Sequence, residues 1–167
     1  MSATLWGDRP PPTAAEGGPA AWEWELRTPA DVTAARSRLR DEVAPDARKD
    51  EVQRLLLTFE ELASNGVRHG RAPVRVRVAS TSAGWLIDVS DAAADRPPVP
   101  AVGRDAAEGG LGLYLVARLA AAQGWTVRGA RKHVWALVRR AGDPGRREAT
   151  GARLRGRAPD PLRVRRR

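Results

Sequence analysis

The chain has 167 residues, no cysteine, two histidines and a formal charge of +9. Lack of cysteine excludes disulfides, thiol nucleophiles and cysteine zinc sites, and His69 at a helix end with His133 in a strand does not make a histidine metal centre. Even the apolar run Leu111 to Ala122 is short for a membrane span and carries Arg118, and the start lacks the basic-then-apolar pattern of a secretion signal, so a cytoplasmic location is expected.

Residues 1–20, with Pro10-Pro11-Pro12 and no apolar periodicity, are expected to be disordered, ahead of one domain over 21–140 and an Arg-rich disordered tail over 141–167. Trp22 to Leu26 alternates as an edge strand. Pro29-Ala30-Asp31 opens a helix running to about Val43. Its Arg36, Arg38 and Arg40 offer a basic surface for a partner or for dimerisation, or form a merely solvated face. After the break at Pro45, Asp46 to His69 reads as one long helix whose stripe Val52, Leu55, Leu56, Phe59, Ala63 and Val67 faces the core.

That stripe turns Glu61 and Asn65, one helical turn apart, toward the opposite flank. A carboxamide oxygen is a hard ligand suited to magnesium carrying nucleotide phosphates, and a carboxylate one turn earlier can take a proton from water or a hydroxyl. Taken alone, the pair is better explained as a surface glutamate beside an Asn-Gly helix terminator.

Pro73 to Ala79 alternates apolar and basic residues as a half-exposed strand, and Gly84 to Asp91 is a second alternating strand. Its end delivers Asp91, either to accept a hydrogen bond from an exocyclic amine or to cap the strand exit. Glu108-Gly109-Gly110-Leu111-Gly112 then opens a helix expected to end near Gln123-Gly124. Glycines let backbone amides approach phosphate at a helix start, although a glycine pair is otherwise a common hinge. No Gly-Lys-Ser/Thr follows, which excludes a P-loop, and Leu115 stands where a dinucleotide fingerprint needs its third glycine.

Trp125 to Gly129 and His133 to Val138 complete the elements, and their order predicts an α+β two-layer sandwich, a mostly antiparallel sheet covered by helices on one face. Five of the six tryptophans fall in predicted strands, as sheet packing. From Ala141 onward nine arginines stand against three acids, so the tail carries +6 and the rest +3. Such a tail suits non-specific nucleic acid or an acidic protein, or is a solvated extension.

Taken together in this order and spacing, Glu61 to Gly70, Asp91 and Glu108 to Val116 resemble the N-box, the adenine-reading aspartate and the second glycine box of the gyrase and histidine-kinase type ATPase superfamily. The likeness covers about residues 22 to 140. A short single domain with Asn65-Gly66-Val67-Arg68-His69-Gly70 and a final Val134-Trp135-Ala136-Leu137 strand is most similar, within it, to anti-sigma factor serine/threonine kinases. The resemblance implies ATP and Mg2+ as cofactors, Asn65 as metal ligand, Glu61 as catalytic acid or base and Asp91 as adenine reader. It places Arg68 near phosphate and Gly110, Leu111 and Gly112 along the phosphates, under a lid of residues 92–108. It implies a sigma factor and an anti-anti-sigma protein as partners, the latter phosphorylated on serine. Two departures stand out: Ala92 and Ala93 replace an expected Gly-x-Gly, which costs positive φ, and His133 replaces a threonine expected near the base. They favour weaker nucleotide binding and leave a non-enzymatic nucleotide-binding module, or a nucleic-acid binder acting through the tail, as alternatives.

Overall fold

The computed structural model describes residues 5–12, 22–99 and 111–141. In chain order these hold β1 (Trp22–Leu26), α1 (Pro29–Val43), a 3-10 turn (Ala44–Asp46), α2 (Lys49–His69), β2 (Val74–Thr81), β3 (Gly84–Asp91), α3 (Leu111–Leu119), β4 (Ala122–Arg128) and β5 (Arg131–Arg139). The strands form one sheet in the order β1-β2-β3-β5-β4, each pair antiparallel. The expected α+β sandwich is the observed one.

Strand alternation sorts the sheet into two faces. Trp24, Val76, Ile87, Val89, Val134 and Ala136 belong to the main core with the helices, whereas Leu86 and Trp135 form a small cluster with Ala122 and Leu137 on the other face. Because that second face is also covered, β3 is buried almost throughout instead of alternating. The core face of α2 is Val52, Leu55, Leu56, Phe59, Leu62, Ala63 and Gly66, and Phe59 meets Trp24 edge-on at 5.7 Å between ring centroids. Helix α1 starts on a reciprocal cap, in which Asp31 accepts from the Thr28 amide at 2.9 Å and Thr28 Oγ1 from the Asp31 amide at 3.3 Å.

Three expectations need correction. The long helix from Asp46 is broken: Pro45 sits in the 3-10 turn, Ala47 is extended, and α2 begins only at Lys49. The glycine-box helix stops at Leu119, not near Gln123, because the Ala121 amide bonds the Leu137 carbonyl at 2.8 Å and Ala122 to Gly124 pair with β5. Sheet pairing overrides the helix preference of the alanine run. Residues 5–12, expected to be disordered, are docked beside β4. The Arg9 amide bonds the Trp125 carbonyl at 2.8 Å, the Trp125 amide bonds the Gly7 carbonyl at 3.1 Å, and Trp6 is 1% exposed. A buried tryptophan and an edge backbone to pair with outweigh the absence of periodicity. Residues 1–4, 13–21 and the Arg-rich stretch 142–167 lie outside the described residues. Among the described residues no helix is long and apolar enough to cross a membrane.

Candidate functional site

Gly66 sets how α2 lies on the sheet: a Cβ there would come within 2.9 Å of Val89 Cγ1 and 3.1 Å of Val74 Cγ1. With that side of the helix pressed onto β2 and β3, Glu61 and Asn65 fall on the flank, both partly exposed, with Arg68 exposed beyond them. The flank faces α3. A Cβ on Gly112 would overlap the Glu61 carboxylate, lying 2.8 Å from its Cδ. The two sequence motifs, separated by some forty residues of chain, therefore meet at the first turn of α3, where free amides and the positive end of the helix face a carboxylate.

Partial burial pushes the Glu61 carboxyl above the ordinary glutamate value of 4.5, neighbouring Glu60 adds to the rise, and the positive charge of Arg68 opposes it. A carboxylate so placed holds a proton more tightly than a free one, which suits a general base. Asn65, one turn from Glu61, presents the kind of hard oxygen magnesium takes. Among the described residues no group of three His, Cys, Asp or Glu is placed to hold a metal ion. The residue types are compatible with a magnesium ion that keeps most of its shell as phosphate and water oxygens, and Asn65 is the side chain that could hold it.

At the C-terminal end of the same helix, just past Asn65 and Arg68, α2 closes on Gly70, whose amide bonds the Gly66 carbonyl at 2.8 Å. A Cβ on Gly70 would lie 2.7 Å from Asp91 Cγ, so this glycine lets the helix end rest on the aspartate at the end of β3. Asp91 is 1% exposed, and its Oδ1 accepts from the Ala93 amide at 2.7 Å, with the Arg71 amide at 3.5 Å. Oδ2 faces Lys132 Nζ at 3.3 Å, and that ammonium also donates to the Arg96 carbonyl at 2.9 Å.

The expected sites thus form two groups. Glu61, Asn65 and Gly112 gather where α2 meets α3, with Arg68 acting electrostatically on Glu61. Leu111 is exposed at the start of α3; Gly110 and residues 100–108 of the expected lid lie outside the described residues. Asp91 lies under the C-terminal end of α2, against Gly70. His133 is not near it: β5 turns the ring to the opposite face of the sheet, where Nδ1 lies 3.0 Å from Asp88 Oδ2. The expectation that His133 replaces a hydroxyl near the base is corrected accordingly. Lys132, which sequence reasoning passed over, is the residue that reaches Asp91. Its signal was available, since it falls in step with Val134, Ala136 and Val138, the inward positions of β5.

The family model described as histidine kinase-like ATPase domain matches residues 26–137, a span from the end of β1 into β5 that contains every residue of both groups. No curated protein matches the chain.

Proposed function

Because the chain belongs to the histidine kinase-like ATPase family, we propose that it is an ATP-binding regulatory protein of the cytoplasm that acts as an anti-sigma factor type serine/threonine kinase. It would hold a sigma factor and inactivate an anti-anti-sigma protein by transferring the γ-phosphoryl group of ATP to a serine hydroxyl. The observation that carries this reading is the Glu61 carboxylate seated against the Gly112 backbone at the start of α3, its proton affinity raised, one turn from Asn65. A module that only binds nucleotide has no chemical need for such an acid.

In this reading Glu61 accepts the proton of the attacking hydroxyl, the amides at Leu111 and Gly112 orient phosphate oxygens, and Arg68 adds positive charge on the same flank. Asn65 holds magnesium, which when bound supplies neutralisation of the phosphate oxygens. Asp91 takes the exocyclic amine of adenine. Helix α1 offers the partner or dimer surface, although Arg36 is already committed to Glu60 of α2 at 2.9 Å and Arg40 to Asp41 at 2.9 Å. The basic tail would add salt-sensitive contacts to an acidic protein or to nucleic acid.

A second reading, a nucleotide-binding module that transfers nothing, draws support from one observation: Asp91 is already engaged by Lys132 and two backbone amides. Calorimetric titration of ATP with and without Mg2+ tests the shared premise. Binding should depend on magnesium and be lost in Asn65→Ala. Glu61→Ala should bind ATP and fail to transfer phosphate to its protein partner; equal transfer by wild type and Glu61→Ala sinks the kinase reading.

A further inference from the structure

A lysine in step with core-facing positions is an expensive residue, since a buried ammonium loses its hydration and a long side chain loses its rotamer freedom. Lys132 is 4% exposed and lies on the inward side of β5, in register opposite Asp91. Among the described residues its ammonium meets Asp91 Oδ2 at 3.3 Å and the Arg96 carbonyl at 2.9 Å. The second bond ties down the stretch that follows β3. Ala92 is anchored by its amide on the Arg71 carbonyl at 2.8 Å, and Arg96 turns back by its amide onto the Ala93 carbonyl at 3.1 Å. Lysine and turn together close over the carboxylate, whose side chain is only 2% exposed.

On the reading that Asp91 serves the base of a bound nucleotide, we propose that Lys132 is an internal competitor for that carboxylate, its ammonium standing where the exocyclic amine of a purine triphosphate would donate. Ammonium and amine offer the same thing, an N–H donor, so base binding is an exchange of one for the other. The charged donor makes the stronger bond, which favours the closed state. Release is feasible because the four-carbon stem can carry the ammonium out to water, where it regains its hydration. Departure also removes the donor from the Arg96 carbonyl, so the turn at 92–96 loosens as the base enters. Lys132 thereby couples occupancy of the base site to the turn at 92–96.

The chain contains only two lysines, Lys49 and Lys132, so amine labelling reads Lys132 directly. Lys49 is exposed and serves as the internal standard. In the full-length wild-type protein, acetylation by a soluble N-hydroxysuccinimide ester, resolved by peptide mass spectrometry, should be slow at Lys132. It should rise about tenfold relative to Lys49 with saturating ATP and Mg2+, the change expected when a charge-assisted bond is released. Inorganic tripolyphosphate with Mg2+, which lacks a base, should leave Lys132 protected. Lys132→Thr, which keeps one donor beside Asp91, should bind ATP about tenfold more tightly than wild type and prefer it over the triphosphate of unsubstituted purine riboside, which lacks the 6-amine. If calorimetry shows ATP bound while Lys132 stays protected, or if folded Lys132→Thr binds ATP no more tightly than wild type, the competitor role is overturned and the ATP site stands. If neither ATP nor tripolyphosphate binds, the site reading fails and this proposal fails with it.

Discussion

Replacing Gly112 with alanine puts a methyl group where the Glu61 carboxylate now lies. The new Cβ would overlap a carboxylate oxygen and sit 2.8 Å from Glu61 Cδ, closer than carbon atoms approach without something moving. What moves is the end of a flexible side chain. A displaced glutamate costs roughly 0.5–1.5 kcal/mol if forced off its rotamer, while alanine in place of glycine in a helix returns up to about 1 kcal/mol. Net stability should therefore change by no more than about 1 kcal/mol in either direction. Function should respond far more strongly, because shifting a general base by about 1 Å costs on the order of 10²-fold in rate. Urea unfolding gives the first quantity, and steady-state ATP turnover gives the second. Combined with Glu61→Ala, the substitution should cost little further activity, since both act through the same carboxylate. Wild-type turnover in Gly112→Ala would refute the role assigned to the contact. A stability loss above about 3 kcal/mol would show that backbone, not the glutamate, must give way.

The Glu61 carboxyl is raised by partial burial and by Glu60, so the folded protein binds that proton more tightly than the unfolded chain. Stability then falls as pH rises through a window that opens near the ordinary value of 4.5. Glu61→Gln should melt higher than wild type at neutral pH by less than about 1 kcal/mol, given the exposure of the group, with the advantage fading below about pH 4. The opposite sign holds for Asp31. Backbone amides of Arg27 and Thr28 lower its carboxyl below 3.8, so its contribution is present above that value and is lost as pH falls through the folded one. Thr28→Ala removes the partner half of this cap and should cost about 1 kcal/mol by thermal melting. Trp6→Ala should destabilise by about 3–5 kcal/mol in urea, because the indole is buried and donates to the Leu113 carbonyl of α3 at 3.2 Å. A loss under about 1 kcal/mol would mean that residues 5–12 do not belong to the cooperative unit.

The parts of the fold legible from the sequence were those governed by local period. The stripe of α2 from Val52 to Ala63 and the alternating strands β1 and β2 announce their buried faces because a side chain's direction follows from its position along the element. Boundaries were legible only where the chain carries its own stop. Thr28, Pro29 and Asp31 mark the start of α1. The alanines at 120–122 carry no such mark, and the pairing of Ala122 with Leu137 decides that they leave the helix. Trp6 shows the same limit, since the pair Leu5-Trp6 ahead of three prolines has no periodicity and acquires its place only when the edge of β4 and the side of α3 exist.

For the candidate site, residue type and spacing made Glu61, Asn65 and Asp91 candidates beside simpler structural roles, and only the order of the three motifs along the chain, through the family resemblance, singled them out. Which face of the sheet each residue of β5 takes was set by register instead. One-residue alternation sends Lys132 inward to Asp91 and His133 outward to Asp88, so the residue expected near the adenine base is not the one that faces the aspartate. The amino-acid sequence by itself thus determined the α+β class, the ATPase motifs and the chemistry each residue can perform, since these reside in local geometry and functional groups. Only the tertiary structure decided that Gly112 meets Glu61 and that Lys132 meets Asp91, because contacts between distant segments depend on how whole elements pack, and no local pattern encodes that.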